Sequence, residues 1–191
     1  MVRSSRFILS ALFVFWLGVA PSIAQGSRNL TGSVDYAAVS REIRGFEAIV
    51  NKALGAAFNG APFAVYQQAK GVYLQGYGAT FCFTINIHRA LVTPFGVVGG
   101  KDTTPEQKRR RIEDLKDRLS RILLENGEDL KQLRKEDTIT IVGFFEDRNF
   151  PEEPNQNKTV ILSVIKKDLE NVIRAEDRWR EFKLRMKSFE Y

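Results

Sequence analysis

The chain contains 191 residues with a formal net charge of +6, and it has one cysteine and one histidine. A single cysteine excludes an intramolecular disulfide bond, and one residue of each type is too few for the usual zinc site. The small positive charge gives no support for a polyanion such as nucleic acid as a partner. The length corresponds to one ordinary domain.

The first segment of the chain has the three-part layout of a secretory signal peptide. Arg3 and Arg6 precede an apolar run over residues 7–20, and small residues follow. Those 14 residues are too few for a membrane-spanning helix, which needs about 20. We therefore predict a signal peptide over residues 1–24 and an exported protein, either periplasmic or secreted. An uncleaved anchor is the alternative.

Cleavage there leaves residues 25–191 as a single domain, with a frayed lead-in over residues 25–32. The removed segment contains two arginines and no acidic residue, so the formal charge falls from +6 to +4. With the segment gone, no stable transmembrane segment is expected to remain.

Two long amphipathic helices are predicted in the mature chain. The first has Ser33 as its expected N-cap and ends at Asn59-Gly60-Ala61-Pro62. The second begins with the capping box Thr104-Pro105-Glu106-Gln107 and ends near Gly127, and one further turn carries Leu130 and Leu133. The apolar positions of the first helix are Tyr36, Val39, Ile43, Phe46, Val50, Leu54 and Phe58.

Strand patterns fill most of the remaining sequence. Ala69-Lys70-Gly71 predicts a turn, and Gly76-Tyr77-Gly78 predicts a hairpin loop or a bulge, because two glycines suit positive φ. Residues 159–165 are apolar on nearly both faces, which is typical of a central strand covered by helices. The predicted strands are Pro62–Gln68, Val72–Gln75, Ala79–Ile87, Thr138–Phe145 and Thr159–Ile165.

The end of the chain predicts a last helix with Asp168 as its N-cap. The apolar spacing continues to Phe189, although the last few residues also fit an edge strand. These elements together predict an α+β fold. We expect a single domain with a mainly antiparallel sheet of about four or five strands and amphipathic helices packed on it.

Several segments resemble a group of uncharacterised exported bacterial proteins. The resemblance covers most of the mature chain, and it implies export, a bacterial origin and a single domain. It implies no activity, cofactor or catalytic residue. The segments are Tyr73-Leu74-Gln75-Gly76-Tyr77-Gly78-Ala79-Thr80-Phe81, the stretch from Leu124 to Leu133, Asp137-Thr138-Ile139-Thr140-Ile141, and Lys167-Asp168-Leu169 followed by a helix with Phe182.

The sequence assigns no catalytic, cofactor-binding or metal-ligating residue. Cys82 and His88 are about 20 Å apart along an extended strand, too far for a catalytic pair. The loop over residues 146–158 is expected to be a solvated acidic loop, since its spacing does not match a calcium loop. Its oxygen-bearing residues, the only metal option left, are Asp147, Asn149, Glu152, Glu153 and Asn155.

Two further motifs are interpreted as structural. The stretch from Gly96 to Lys101 lacks the pattern of a phosphate-binding loop, and we interpret it as a flexible connector. Lys108-Arg109-Arg110-Arg111 is the best recognition candidate, as an anion-binding patch. The preferred interpretation is a solvated helix face on which Glu113, Asp114 and Asp117 neutralise the basic run.

The leading functional hypothesis is a non-enzymatic exported domain that binds or scaffolds an envelope protein or a surface component. The loop over residues 88–103 has no clear period and is the expected contact surface. One alternative is an exported hydrolase that works with carboxylates alone, such as a glycoside-acting protein. The other is a carrier of small apolar ligands. No cofactor is predicted for the leading hypothesis.

Overall fold

The computed structural model describes residues 34–58, 63–87, 91–93, 96–98, 104–147, 157–172 and 177–191. Residues 34–191 form one compact unit, and the α+β class is confirmed. The predicted signal peptide, the lead-in and Ser33 lie outside the described residues.

The described elements are four helices, one 3-10 turn and seven strands. The helices are α1 (Tyr36–Ala57), α2 (Pro105–Asn126), α3 (Lys166–Val172) and α4 (Arg178–Arg185), and the 3-10 turn is Gly127–Asp129. The strands are β1 (Ala64–Leu74), β2 (Gly78–Asn86), β3 (Leu91–Thr93), β4 (Gly96–Val98), β5 (Thr138–Glu146), β6 (Lys158–Ile165) and β7 (Lys187–Glu190).

Five of the strands form one mixed sheet in the order β1-β2-β5-β6-β7. Three of its four pairings are antiparallel, as expected, and the central pairing of β2 with β5 is parallel. A parallel pair needs a crossover connection, and α2 lies within the connection between these two strands. The crossover carries α2 onto one face of the sheet.

The N-caps of the first and third helices differ from the predicted ones. Asp35 caps α1, and its carboxylate accepts hydrogen bonds from the backbone N–H groups of Ala37 and Ala38. In α3 the helix begins at Lys166, so Asp168 lies inside the first turn and pairs with Arg185 at 3.3 Å. The capping box of α2 at Thr104 and Gln107 is confirmed.

The predicted turn at Ala69-Lys70-Gly71 is wrong, because β1 continues through it to Leu74. Ala69 is fully buried, and a side chain on Gly71 would place its Cβ 2.5 Å from the Phe81 ring. The absence of a side chain at Gly71 therefore allows β1 to pack closely on the Phe81 ring, and the residue does not form a turn. The hairpin follows at Gly76 and Gly78, whose φ angles of 85° and 131° fit the predicted loop.

The structure adds one short hairpin to the expected elements and decides between the two alternatives for the last residues. Part of the stretch over residues 88–103 forms a short antiparallel hairpin in which Leu91 pairs with Val98. In the sequence, Pro94 and Gly96 are two residues apart, as are the second and fourth positions of a β-turn, where proline and glycine are favoured. The sequence therefore contained a signal for this hairpin. The last residues form β7 rather than more helix, and the edge-strand alternative is confirmed.

Candidate binding surface on the open sheet face

The two faces of the five-stranded sheet differ in what covers them. All four described helices lie on one side, which we call the closed face. On that side Phe46 of α1 packs on Phe81 with ring centroids 4.6 Å apart. Leu119 of α2 lies against Phe83 and Ile141. Leu169 of α3 lies over Ile139, and α4 joins α2 through Trp179 and Arg121.

Strand alternation directs a second set of side chains to the opposite side, which we call the open face. The expectation that β6 is covered on both faces is therefore wrong, since Ile161 and Ser163 are half-buried and Ile165 is exposed. The members of the open face share the same strand parity and register. They include Ala64, Gln67, Lys70, Val72, Leu74, Thr80, Cys82, Thr84, Asn86, Thr138, Thr140, Val142, Phe144, Glu146, Thr159, Ile161, Ser163, Ile165, Lys187, Phe189 and Tyr191.

Large apolar side chains on the open face remain exposed. Phe189 is 54% exposed, Val72 48% and Phe144 40%. Leu74, Ile165 and Tyr191 are exposed as well. Val142 and Ile161 lie between them and are half-buried. Large apolar side chains are thus exposed on β1, β5, β6 and β7 of the open face, whereas β2 contributes Thr80, Cys82 and Thr84. Exposed apolar side chains on four strands are unusual for a face in contact with water.

Three hydroxyl groups on the open face are hydrogen-bonded to one another along one line. Thr140 donates a hydrogen bond to Ser163 at 3.2 Å and accepts one from the Tyr77 hydroxyl at 2.7 Å. The Tyr77 ring reaches this face from the β1–β2 turn. These hydroxyls satisfy each other across β5 and β6 and hold the residues on either side in register.

A depression of about 430 Å³ lies at the other end of the open face. Phe144 and Tyr191 flank it, Thr84 and Thr159 also line it, and Lys158 lies at its rim. The apolar flanks with a few polar groups can accommodate one large side chain of a partner.

Cys82 lies in the middle of the open face, between Lys70 and Val142 in the strand register. Its side chain is half-buried, and this burial raises the pKa of the thiol above its usual range. The thiol therefore stays protonated and acts as a small side chain in the sheet. His88 lies outside the described residues.

Asp147 is not part of a solvated acidic loop, contrary to expectation. Its carboxylate is 1% exposed and pairs with Lys108 of α2 at 3.0 Å, while its backbone N–H donates to the side chain of Asn157. Asn149, Glu152, Glu153 and Asn155 lie outside the described residues. Within the described ranges, no group of three or more residues has the composition of a metal site.

The basic run on α2 is not one solvated, self-neutralising face. Lys108 is buried, and the Arg111 guanidinium lies 4.4 Å from the centre of the Phe63 ring. Asp117 pairs with Lys183 of α4 rather than with the run. The spacing of Lys108 from Ile112 is that of the buried stripe of α2, and this signal could have revealed its burial.

The fold and this surface define the class as a two-layer α+β domain with one sheet face that none of the described helices covers. No helix in the described part of the chain is both long and apolar enough to span a membrane. No protein-family model and no curated protein matches the sequence.

Among solved structures, the chain is similar to one in the crystal structure of the Legionella pneumophila effector protein RavZ in complex with human LC3B. The identity is 13% and the TM-score is 0.22. The match covers 78% of this chain, and it spans 38% of the matched chain.

Proposed function

We propose that this protein is an exported, non-enzymatic domain that binds an envelope component through its open sheet face. The observation that carries the proposal is the contrast between the two faces. Helices cover one face, whereas the other exposes Phe144, Phe189 and Val72 across the same five strands. Extended exposed apolar surface of this kind marks interaction sites in soluble proteins.

The ion pairs among the described residues favour a binding role over a hydrolytic one. Its buried carboxylates, Asp137 and Asp147, are neutralised by Arg134 at 2.8 Å and by Lys108 at 3.0 Å. A carboxylate-dependent hydrolase needs two acids facing one cleft at about 5–10 Å, with pKa values set apart for an acid and a base. Carboxylates held by cations are poor general acids.

The interior beneath α2 favours binding at the surface over transport of an apolar ligand inside the domain. The space bounded by Phe83, Gly143 and Leu119 is too small to hold a water molecule. A carrier needs an enclosed cavity of about 300 Å³ or more for a small ligand.

Export is supported by the arrangement of residues 1–24 and by the resemblance to exported bacterial proteins. N-terminal sequencing of the protein from its natural source is expected to begin at Gln25, and cell fractionation is expected to find it outside the cytosol. A product that begins at Met1 and fractionates with cytosolic proteins would refute export.

The binding role is tested by replacing exposed side chains of the open face. Phe144→Lys is expected to remove the domain from a sedimented envelope fraction, because a charge placed in the contact is costly to desolvate. The matched control is Leu184→Lys on the exposed side of α4, which also replaces an exposed apolar side chain with lysine. Both variants must keep the wild-type circular dichroism spectrum. Equal sedimentation of the two variants would contradict the role of the open face.

A further inference from the structure

We infer that the open face binds an amphipathic helix with acidic flanks, supplied by the partner. This inference rests on the proposed binding role of that face and names the chemistry of its occupant. Three features carry it: the shape of the apolar row, the position of two lysines, and the fit of each alternative occupant.

The apolar part of the open face is a row that crosses the strands. The register places Cys82, Val142, Ile161 and Phe189 side by side on β2, β5, β6 and β7. Strands in a sheet are about 4.8 Å apart, so the five strands span about 19 Å. An α-helix of about 13 residues covers that distance. A helix lying across the strands would therefore bury the whole row with one apolar stripe.

One lysine stands at each edge of the sheet, at the end of this row or beside it. Lys70 stands opposite Cys82 on β1, and Lys187 stands opposite Ser163 on β7, in the neighbouring row. Both are exposed, and neither has an ion-pair partner among the described residues. Glu146, a carboxylate on the open face, lies at the far end of β5, away from the line that joins Lys70 and Lys187. Acidic residues on the partner helix would meet a lysine at each end.

A second copy of this chain fits the charges less well. Two open faces related by a two-fold axis parallel to the strands would bring β1 of one copy over β7 of the other. An axis across the strands would bring each strand over its own copy. With the first axis, Lys70 of one copy faces Lys187 of the other. With the second axis, each lysine approaches the same lysine of the other copy. Like charges therefore meet in both arrangements.

An anionic lipid surface is also a weaker match. Membrane attraction depends on clustered basic residues, whereas Lys70 and Lys187 lie at opposite edges of the sheet and Glu146 shares the face. A helix on the open face would complete a third layer of the domain.

The test uses two synthetic helical peptides of 14 residues that share one leucine stripe. Glutamates flank the stripe in one peptide and lysines flank it in the other. Fluorescence anisotropy is expected to show that the glutamate peptide binds the mature protein about ten-fold more tightly. The double variant Lys70→Glu/Lys187→Glu is expected to reverse this preference.

The matched control is Lys52→Glu/Lys131→Glu, which makes the same change in net charge away from the open face. It is expected to keep the preference of the wild type. Thermal melting and circular dichroism confirm that each variant is folded.

Equal binding of both peptides, preference for the lysine peptide, or binding of neither would overturn the inference. A face-to-face dimer in analytical ultracentrifugation would also overturn it. So would binding to phosphatidylglycerol vesicles that is tighter than binding to the glutamate peptide and that Lys70→Glu/Lys187→Glu abolishes. If these results came with loss of envelope association in Phe144→Lys, the binding role would stand and only the acidic helix would fail.

Discussion

Lys108 and Asp147 form an ion pair beneath α2, at the end of β5. The Lys108 Nζ lies 3.0 and 3.2 Å from the two carboxylate oxygens, and each side chain is 1% exposed. Two charges removed from water are costly, and only good pairing compensates for that cost. The pair therefore fixes where α2 meets the sheet more than it adds stability.

Replacing Lys108 with alanine is expected to lower the free energy of unfolding by about 3–5 kcal/mol, because it removes a cation that lies 3.0 Å from the buried Asp147 carboxylate. The double variant Lys108→Met/Asp147→Leu is expected to recover most of that loss. Urea unfolding measures both, and Arg109→Ala on the exposed side of α2 is the control, with a change within about 0.5 kcal/mol. A loss below about 1 kcal/mol in Lys108→Ala would show that the pair is not buried as described.

Gly78 and Gly45 are expected to respond in opposite ways to replacement by alanine. Gly78 has a φ of 131°, and an added Cβ would lie 2.1 Å from the Thr138 carbonyl oxygen. Gly78→Ala is therefore expected to cost at least about 3 kcal/mol. Gly45 is exposed in α1 with nothing within 4 Å of its Cβ position. Gly45→Ala is expected to raise stability by about 0.5–1 kcal/mol.

Thermal unfolding with calorimetry measures these two opposite changes. An unchanged melting temperature in Gly78→Ala would mean that the turn and β5 are not in contact. A loss of stability in Gly45→Ala would mean that this side of α1 is covered.

At the scale of elements, α1 protects the outer edge of β1. Asn51 accepts a hydrogen bond from the Ala69 N–H at 2.7 Å and donates one to the Ala69 carbonyl at 3.2 Å. Glu47 accepts from the Gly71 N–H at 2.7 Å. Side chains of the helix thus occupy backbone groups that would otherwise pair with another chain. The opposite edge, β7, is only four residues long.

Asn51→Ala is expected to destabilise the protein by about 2 kcal/mol, since it leaves the N–H and the carbonyl of the buried Ala69 without their partner. Hydrogen exchange is expected to show faster exchange at Ala69 than in the wild type. Lys52→Ala, one residue further on the exposed side of α1, serves as the control. Unchanged exchange at Ala69 would refute edge protection by α1.

The carboxylate of Glu190 joins β7 to the rest of the domain. Hydrogen bonds from Lys116 and, second, from Lys158 lower the pKa of Glu190 below its usual range. A folded-state pKa below the unfolded value of about 4.3 gives stability that is complete above about pH 5 and is lost as the pH falls through the folded pKa.

Glu190→Gln is expected to remove this part of the acid dependence, so that its urea midpoint falls less than that of the wild type between about pH 5 and pH 3. Glu125→Gln, an exposed position on α2, should behave as the wild type does. Parallel curves for Glu190→Gln and the wild type would show that this carboxylate is not held by the two lysines.

Sequence periodicity predicted the elements whose signals are local. The capping box at Thr104, the apolar stripe of α1 and the alternation of β2 each depend on neighbours within a few residues, and each is confirmed. The turn at Ala69-Lys70-Gly71 failed because Gly71 accommodates Phe81, a contact that depends on the pairing of β1 with β2. Close packing between strands leaves no local signal to separate it from a turn.

At the scale of the whole molecule, the open face emerges only from the strand order. The alternation of β2 alone indicates a wetter face of Thr80, Cys82 and Thr84. The parallel register then places Val142 and Phe144 of β5 beside them. No single strand therefore predicts the apolar surface, and the sequence directed attention to the loop over residues 88–103 instead. Its β3–β4 hairpin forms its own two-stranded sheet, which is not hydrogen-bonded to the five-stranded sheet.

The central claim is that this surface is where the exported domain meets its partner. Site-specific photo-crosslinking in the cells of origin tests it most directly, with a photoreactive residue at Ile161 on the open face or at Glu125 on α2. We expect a discrete cross-linked product from position 161 and none from position 125. Cross-linking from position 125 alone would place the contact on the helical side and contradict the assignment of the open face.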